Sequence, residues 1–145
     1  MKRSKLPKKA SQLINVALND LEKVQKLKDY KIDMDVWHEA NEKQCSVCFA
    51  GAVISQTIKA SRWDSSYPQG LMEENVINIK DRDALQALDY LRGGNTDEAL
   101  QALNVDVNEE DQGDFNRYIP PFKGTGVSFK KAMKKLANDL EKAGY

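Results

Sequence analysis

Hydrophobic positions near the start of the chain recur at helical spacing. Leu13, Ala17, Leu21 and Val24 fall four, four and three residues apart, and Ile14, Leu18 and Leu27 widen the stripe. That period predicts a long amphipathic helix after Pro7, with Lys9, Lys23, Lys26 and Lys28 on its wet face. The same period returns at the far end. Phe129, Ala132, Met133, Leu136, Ala137 and Leu140 predict a second amphipathic helix, with Ser128 as its N-cap and Gly144 placed to end it. In between, Ala84-Leu85-Gln86-Ala87-Leu88 recurs fifteen residues on as Ala99-Leu100-Gln101-Ala102-Leu103, across Gly93-Gly94-Asn95. The echo predicts a helical hairpin whose second arm starts near Thr96; two copies are too few for a solenoid.

The period shortens to two in YKIDMDVW, from Tyr30, where Ile32, Met34 and Val36 alternate with Lys31, Asp33 and Asp35. This is the pattern of a half-buried strand, and NVINIKD, with Val76, Ile77 and Ile79, is its evident partner. Cys45 to Ala60 reads instead as a helix with small residues on several sides, among them Ala50, Gly51, Ala52 and Ser55. Gly51 costs helix propensity, which close packing against another backbone would justify, so this segment is the expected central helix. The elements together predict a mainly α, single-domain helical bundle of about five helices, residues 1–145, with at most a short two-stranded β ribbon.

Composition sharpens this picture. Hydrophobic residues are 41% and charged residues 30% of 145, which fits a folded chain rather than a disordered one. The basic start lacks an unbroken apolar run, and no stretch approaches the roughly 18 apolar residues of a membrane span. The expectation is a cytoplasmic protein with no membrane partner. The net charge of zero hides a segregation. Residues 1–31 carry nine Lys or Arg against three acids and residues 123–145 six against two, while the middle carries seven against seventeen. Basic ends around an acidic middle suit pairing with each other, binding of a polyanion such as nucleic acid, or plain solvation.

Candidate chemistry gathers in WHEANEKQCSVCFAGAVISQTI, which begins at Trp37 and holds the single histidine, His38, and both cysteines, Cys45 and Cys48. Three ligands of the right type within eleven residues permit an open zinc site, with Glu39 or Glu42 as a fourth ligand. A zinc nucleobase deaminase is excluded: Glu39 immediately follows His38 where that chemistry wants His-x-Glu, and Gln44 stands where it wants proline. A redox pair at a helix start is a second reading, although the βαβ frame of thioredoxin-like proteins is missing. The leading reading is structural. Cys48, with Cys45, packs as a small hydrophobe, Trp37 anchors the segment, and His38 hydrogen-bonds at the helix approach.

A second candidate is Lys123-Gly124-Thr125-Gly126-Val127-Ser128, a glycine-rich turn directly before a helix with Lys130 and Lys131 in its first turn. Gly124, Gly126, Ser128, Lys130 and Lys131 could hold a phosphate through backbone N–H groups, the helix dipole and two cations. The Walker spacing is absent. The acidic run from Asp106 fails as an EF-hand, because Asp111 and Arg117 occupy the places of the required glycine and glutamate. With one histidine, no Ser/His/Asp arrangement is readable.

The run Trp37-His38 followed by Cys45-Ser-Val-Cys48-Phe-Ala-Gly-Ala52 resembles a block found in small uncharacterised proteins of bacteriophages and prophages. The resemblance implies an accessory protein in a bacterial host cell that binds a host protein or a small anionic ligand, including components of antiviral defence. The expected function is therefore non-enzymatic: binding a host macromolecule and modulating it. The alternatives are a metal- or redox-active protein using His38, Cys45 and Cys48, with zinc as cofactor, and a nucleotide- or phosphate-binding module at Gly124–Lys131.

Overall fold

The computed structural model describes residues 6–28, 30–32, 38–40, 45–58, 79–92, 95–105 and 127–145, with side chains at 6–28, 30, 48–58, 81–91, 95–105 and 130–145. Within these residues the fold is mainly helical. Helix α1 spans Ala10–Gln25 and is followed by three short strands, β1 (Tyr30–Ile32), β2 (His38–Ala40) and β3 (Cys45–Val47). Helix α2 (Phe49–Val53) runs on as a π-helical turn over Ile54–Ile58. Then come α3 (Ile79–Arg92), α4 (Thr96–Ala102) and α5 (Val127–Lys142).

The periodic stripes become the core. Leu13, Ile14, Ala17, Leu21 and Val24 of α1 are buried, as are Met133, Leu136, Ala137 and Leu140 of α5. Leu27 departs from expectation and is 41% exposed, because the helix ends at Gln25 and the chain leaves the stripe. Helices α1 and α5 pack antiparallel: Lys130 at one end meets Gln25, and the Ser11 N–H at the other donates to the Tyr145 carbonyl at 3.4 Å. Antiparallel pairing sets the helix dipoles head to tail. Helix α5 stops as its glycine predicts. Gly144 has φ +92°, the Tyr145 N–H reaches the Leu140 carbonyl at 2.8 Å, and the Gly144 N–H reaches Glu141 at 3.1 Å, which is a Schellman closure. Helix α4 closes the same way on Asn104, φ 56°, with Val105 bonded to Leu100 and Asn104 to Gln101.

The hairpin read from the Ala-Leu-Gln-Ala-Leu echo is present as α3 packed on α4. In the first copy Ala84, Leu85, Ala87 and Leu88 are all buried; in the second Ala99 and Leu100 are, while Ala102 and Leu103 are partly buried because α4 ends there.

The central segment corrects one expectation. Cys45–Val47 is not helix but the middle strand of a three-stranded sheet in the order β1-β3-β2. Strand β1 runs parallel to it, Tyr30 opposite Cys45, and β2 antiparallel, His38 opposite Val47. Of the expected ribbon partner, NVINIKD, Val76 and Ile77 lie outside the described residues, while Ile79 opens α3. A three-residue strand is too short to display a period of two, and β3 satisfies its backbone from both neighbours, which no local pattern announces. The helix begins only after Cys48, whose backbone is extended (φ −93°, ψ −165°) and whose carbonyl accepts the first helical bond, from Ala52 at 2.9 Å. From there the expectation of a central helix holds. Every residue of α2 is buried, and it contacts both α1 and α3.

Candidate anion-binding cleft

Two packed helices create a site that neither contains alone. A cleft of about 390 Å³ lies between α1 and α5. Helix α1 lines it with Asn15, Leu18, Asn19 and Glu22, and helix α5 with Lys130, Lys131 and Lys134. The α1 residues sit at spacings of three, one and three, one side of a helix next to the buried stripe. Lys130, half-buried, donates to the Gln25 side-chain carbonyl, and Lys134 donates to Asn15 Oδ1 at 3.3 Å. Carboxamide oxygens on α1 thus hold two of the ammonium groups at the cleft. Among the described residues none of the three lysines is ion-paired, whereas Lys23 stands 4.0 Å from Asp20 and Arg82 3.4 Å from Asp83.

These lysines occupy an unfavourable place on their helix. Helix α5 has no acid in its first turn, and its first charged residues are Lys130 and Lys131. Lys130, the fourth residue of the helix, closes the first turn and faces its positive pole, a cost of at most about 0.3–1 kcal/mol that falls off by Lys131. Lys130 with Lys134, and Lys131 with Lys134, add like-charge pairs at i,i+4 and i,i+3, about 0.2–0.5 kcal/mol apiece. The packing of α1 on α5 also brings both basic ends of the chain together. The described parts of these two segments carry eleven lysines against four acids. An anion in the cleft would relieve repulsion that no ion pair among the described residues offsets.

A second feature of α1 faces the core. Asp20 is 2% exposed, and the Thr57 hydroxyl, from the π-helical turn, donates to its Oδ2 at 2.5 Å. Burial pushes this carboxyl above its ordinary value, while the Thr57 hydrogen bond and the Lys23 ammonium pull the other way. Helix π-turns often accompany such inserted contacts. Asp20 therefore ties α1 to the end of the central helix.

The residues singled out in the sequence separate. Lys130 and Lys131 enter the cleft. Ser128 is the second residue of α5 rather than its cap, since the helix already starts at Val127. Trp37, Gly124 and Gly126 lie outside the described residues. His38 lies on β2, not at a helix approach, and the register sets it diagonal to Cys45, which faces Ala40. Cys45 and Cys48 are not neighbours on one helical turn. A strand-to-helix junction separates them, so the helix start belongs to Cys48, which is fully buried in the core. Among the described residues no group of three or more His, Cys, Asp or Glu could hold a metal ion. No helix there is long and apolar enough to cross a membrane.

Sequence reasoning missed Asn15, Asn19, Glu22 and Lys134. Lys134 lies one turn beyond Lys130 and Lys131 and was legible from helical spacing; the α1 residues needed the pairing of the two helices. A further cleft of about 440 Å³, between Leu6-Pro7 and the adjoining ends of α3 and α4, is lined by Ala84, Ala102 and Leu103 together with one charge of each sign, Lys8 and Asp83. Comparison of the chain with protein-family models, with curated proteins and with solved structures finds no match.

Proposed function

We propose that this chain is a non-enzymatic accessory protein of the bacteriophage type that binds a host macromolecule in the bacterial cytoplasm and modulates it, with host defence components as the target class. The observation that supports this reading is the basic face made where α1 packs on α5. Its lysines Lys130, Lys131 and Lys134 lack ion pairs among the described residues, while carboxamides of α1 hold two of them in position. A surface of this kind complements an acidic patch on a host protein, steering encounter and fixing orientation.

The test is capture of partners from bacterial lysate by the tagged protein and by a Lys131→Glu/Lys134→Glu variant. Both side chains are exposed, so the variant keeps its fold. The reading expects a host protein bound by the parent chain, weakened as salt rises, and lost from the variant at unchanged Tm. Repeated failure to capture any partner, or equal capture by both proteins, contradicts it.

A further inference from the structure

We infer that the α1–α5 cleft is a site for a nucleoside di- or triphosphate. The inference deepens the reading above and rests on the same basic face being a recognition surface. Three observations converge. The cleft is about 390 Å³, within the range of small-ligand pockets. Three ammonium groups, Lys130, Lys131 and Lys134, gather over the first half of α5, and Glu22 on the facing wall is the one carboxylate lining the cleft among the described residues. A single carboxylate would balance one of them; a pyrophosphate group balances all three, and lysine serves phosphate as a point charge.

The opposite wall has different chemistry. Asn15 and Asn19 offer carboxamides that both donate and accept, Leu18 supplies an apolar surface, and Glu22 is an acceptor alone. A carboxylate in the cleft repels any second phosphate group laid along α1 but accepts hydrogen bonds from sugar hydroxyls or a base amine. The site is thus polar in two directions, with phosphate toward α5 and the nucleoside toward α1. A nucleic-acid backbone, charged along its whole length, meets Glu22 unfavourably, and inorganic pyrophosphate leaves the α1 wall unused.

The experiment uses calorimetry and thermal shift on the full chain, with ADP, ATP, pyrophosphate and a single-stranded oligonucleotide as separate probes. One-to-one binding of ADP or ATP is expected, raising Tm by about 5–10 °C at about 100 times Kd. Lys131→Ala/Lys134→Ala should weaken it at least tenfold, while Lys142→Ala, on the same helix beyond the cleft, should leave it unchanged. Glu22→Gln separates the two walls: it should weaken ADP and tighten pyrophosphate. No binding of ADP or ATP at millimolar concentration overturns the inference. So does tighter binding of the oligonucleotide, or equal loss in Lys142→Ala, either of which marks an unselective cationic surface. If host-partner capture persists while nucleotides do not bind, the nucleotide site is wrong and the macromolecular reading stands; loss of both defeats both.

Discussion

Replacing Thr57 by valine removes one hydroxyl and tests how α1 is fastened to the central helix. The hydroxyl donates at 2.5 Å to an Asp20 carboxylate that is only 2% exposed. The remaining cation, Lys23, stands at 4.0 Å and is 57% exposed, so solvent screens much of its pull. Removing a hydrogen bond to a charged buried acceptor costs about 1.5–3 kcal/mol. For a chain of this size that lowers Tm by about 4–9 °C. With Asp20→Asn as background the acceptor is neutral, and the same Thr57→Val change should cost about 0.5–1.5 kcal/mol, leaving a coupling of about 1 kcal/mol.

The pH dependence follows from the sign of the Asp20 shift. Its folded pKa is raised, so it contributes stability that is fully present below the unfolded value of about 3.9 and is lost as pH rises through the folded value. Urea titrations across that window should show parent stability falling with pH relative to Asp20→Asn. Thr57→Val should be more costly at neutral pH than at acid pH, because the lost bond favoured the charged form. Equal costs of Thr57→Val in both backgrounds and at both pH values would refute the reasoning.

Gly144→Ala should cost about 1–2 kcal/mol by urea denaturation, with Gly144→Asn costing less. No atom lies within 4 Å of an added Cβ, so the penalty is conformational and arises at φ +92°. The Cys48 thiol is fully buried, and a thiol reagent should label it at the rate of opening, accelerating in denaturant; rapid labelling in native buffer contradicts its place in the core. Leu136→Ala, at a fully buried α5 position, should cost about 2–5 kcal/mol and loosen α5. Hydrogen exchange would then rise first in α5, whereas loss of protection centred on α3 and α4 would count against that packing.

The long helices were legible because sixteen residues of α1 and of α5 repeat their apolar positions several times over. Gly144 and the Ala-Leu-Gln-Ala-Leu echo added a stop and a hairpin. The Cys45–Val47 strand was not legible, since three residues carry no period and Ala50, Gly51 and Ala52 extended a helical reading backwards across the junction. The π-helical turn left no signal either; it brings Thr57 to Asp20, thirty-seven positions away in sequence. Half the cleft was readable. Lys130 and Lys131 stood out beside a glycine-rich turn, whereas Asn15, Asn19 and Glu22 are ordinary surface residues of an amphipathic helix until α5 lies beside them. An apolar stripe tells that a helix packs; it does not name the helix it packs on.

The claim that the α1–α5 face is the recognition surface is tested most directly by a charge-reversal scan of exposed cations. A captured host partner would be titrated against Lys131→Glu, Lys134→Glu and, on α3, Arg82→Glu, each first checked for an unchanged Tm. The account predicts at least tenfold weaker binding for each α5 variant, lessening as salt rises, with Arg82→Glu bound like the parent chain. Equal affinity across all three, or loss confined to Arg82→Glu, would place recognition elsewhere and contradict the account.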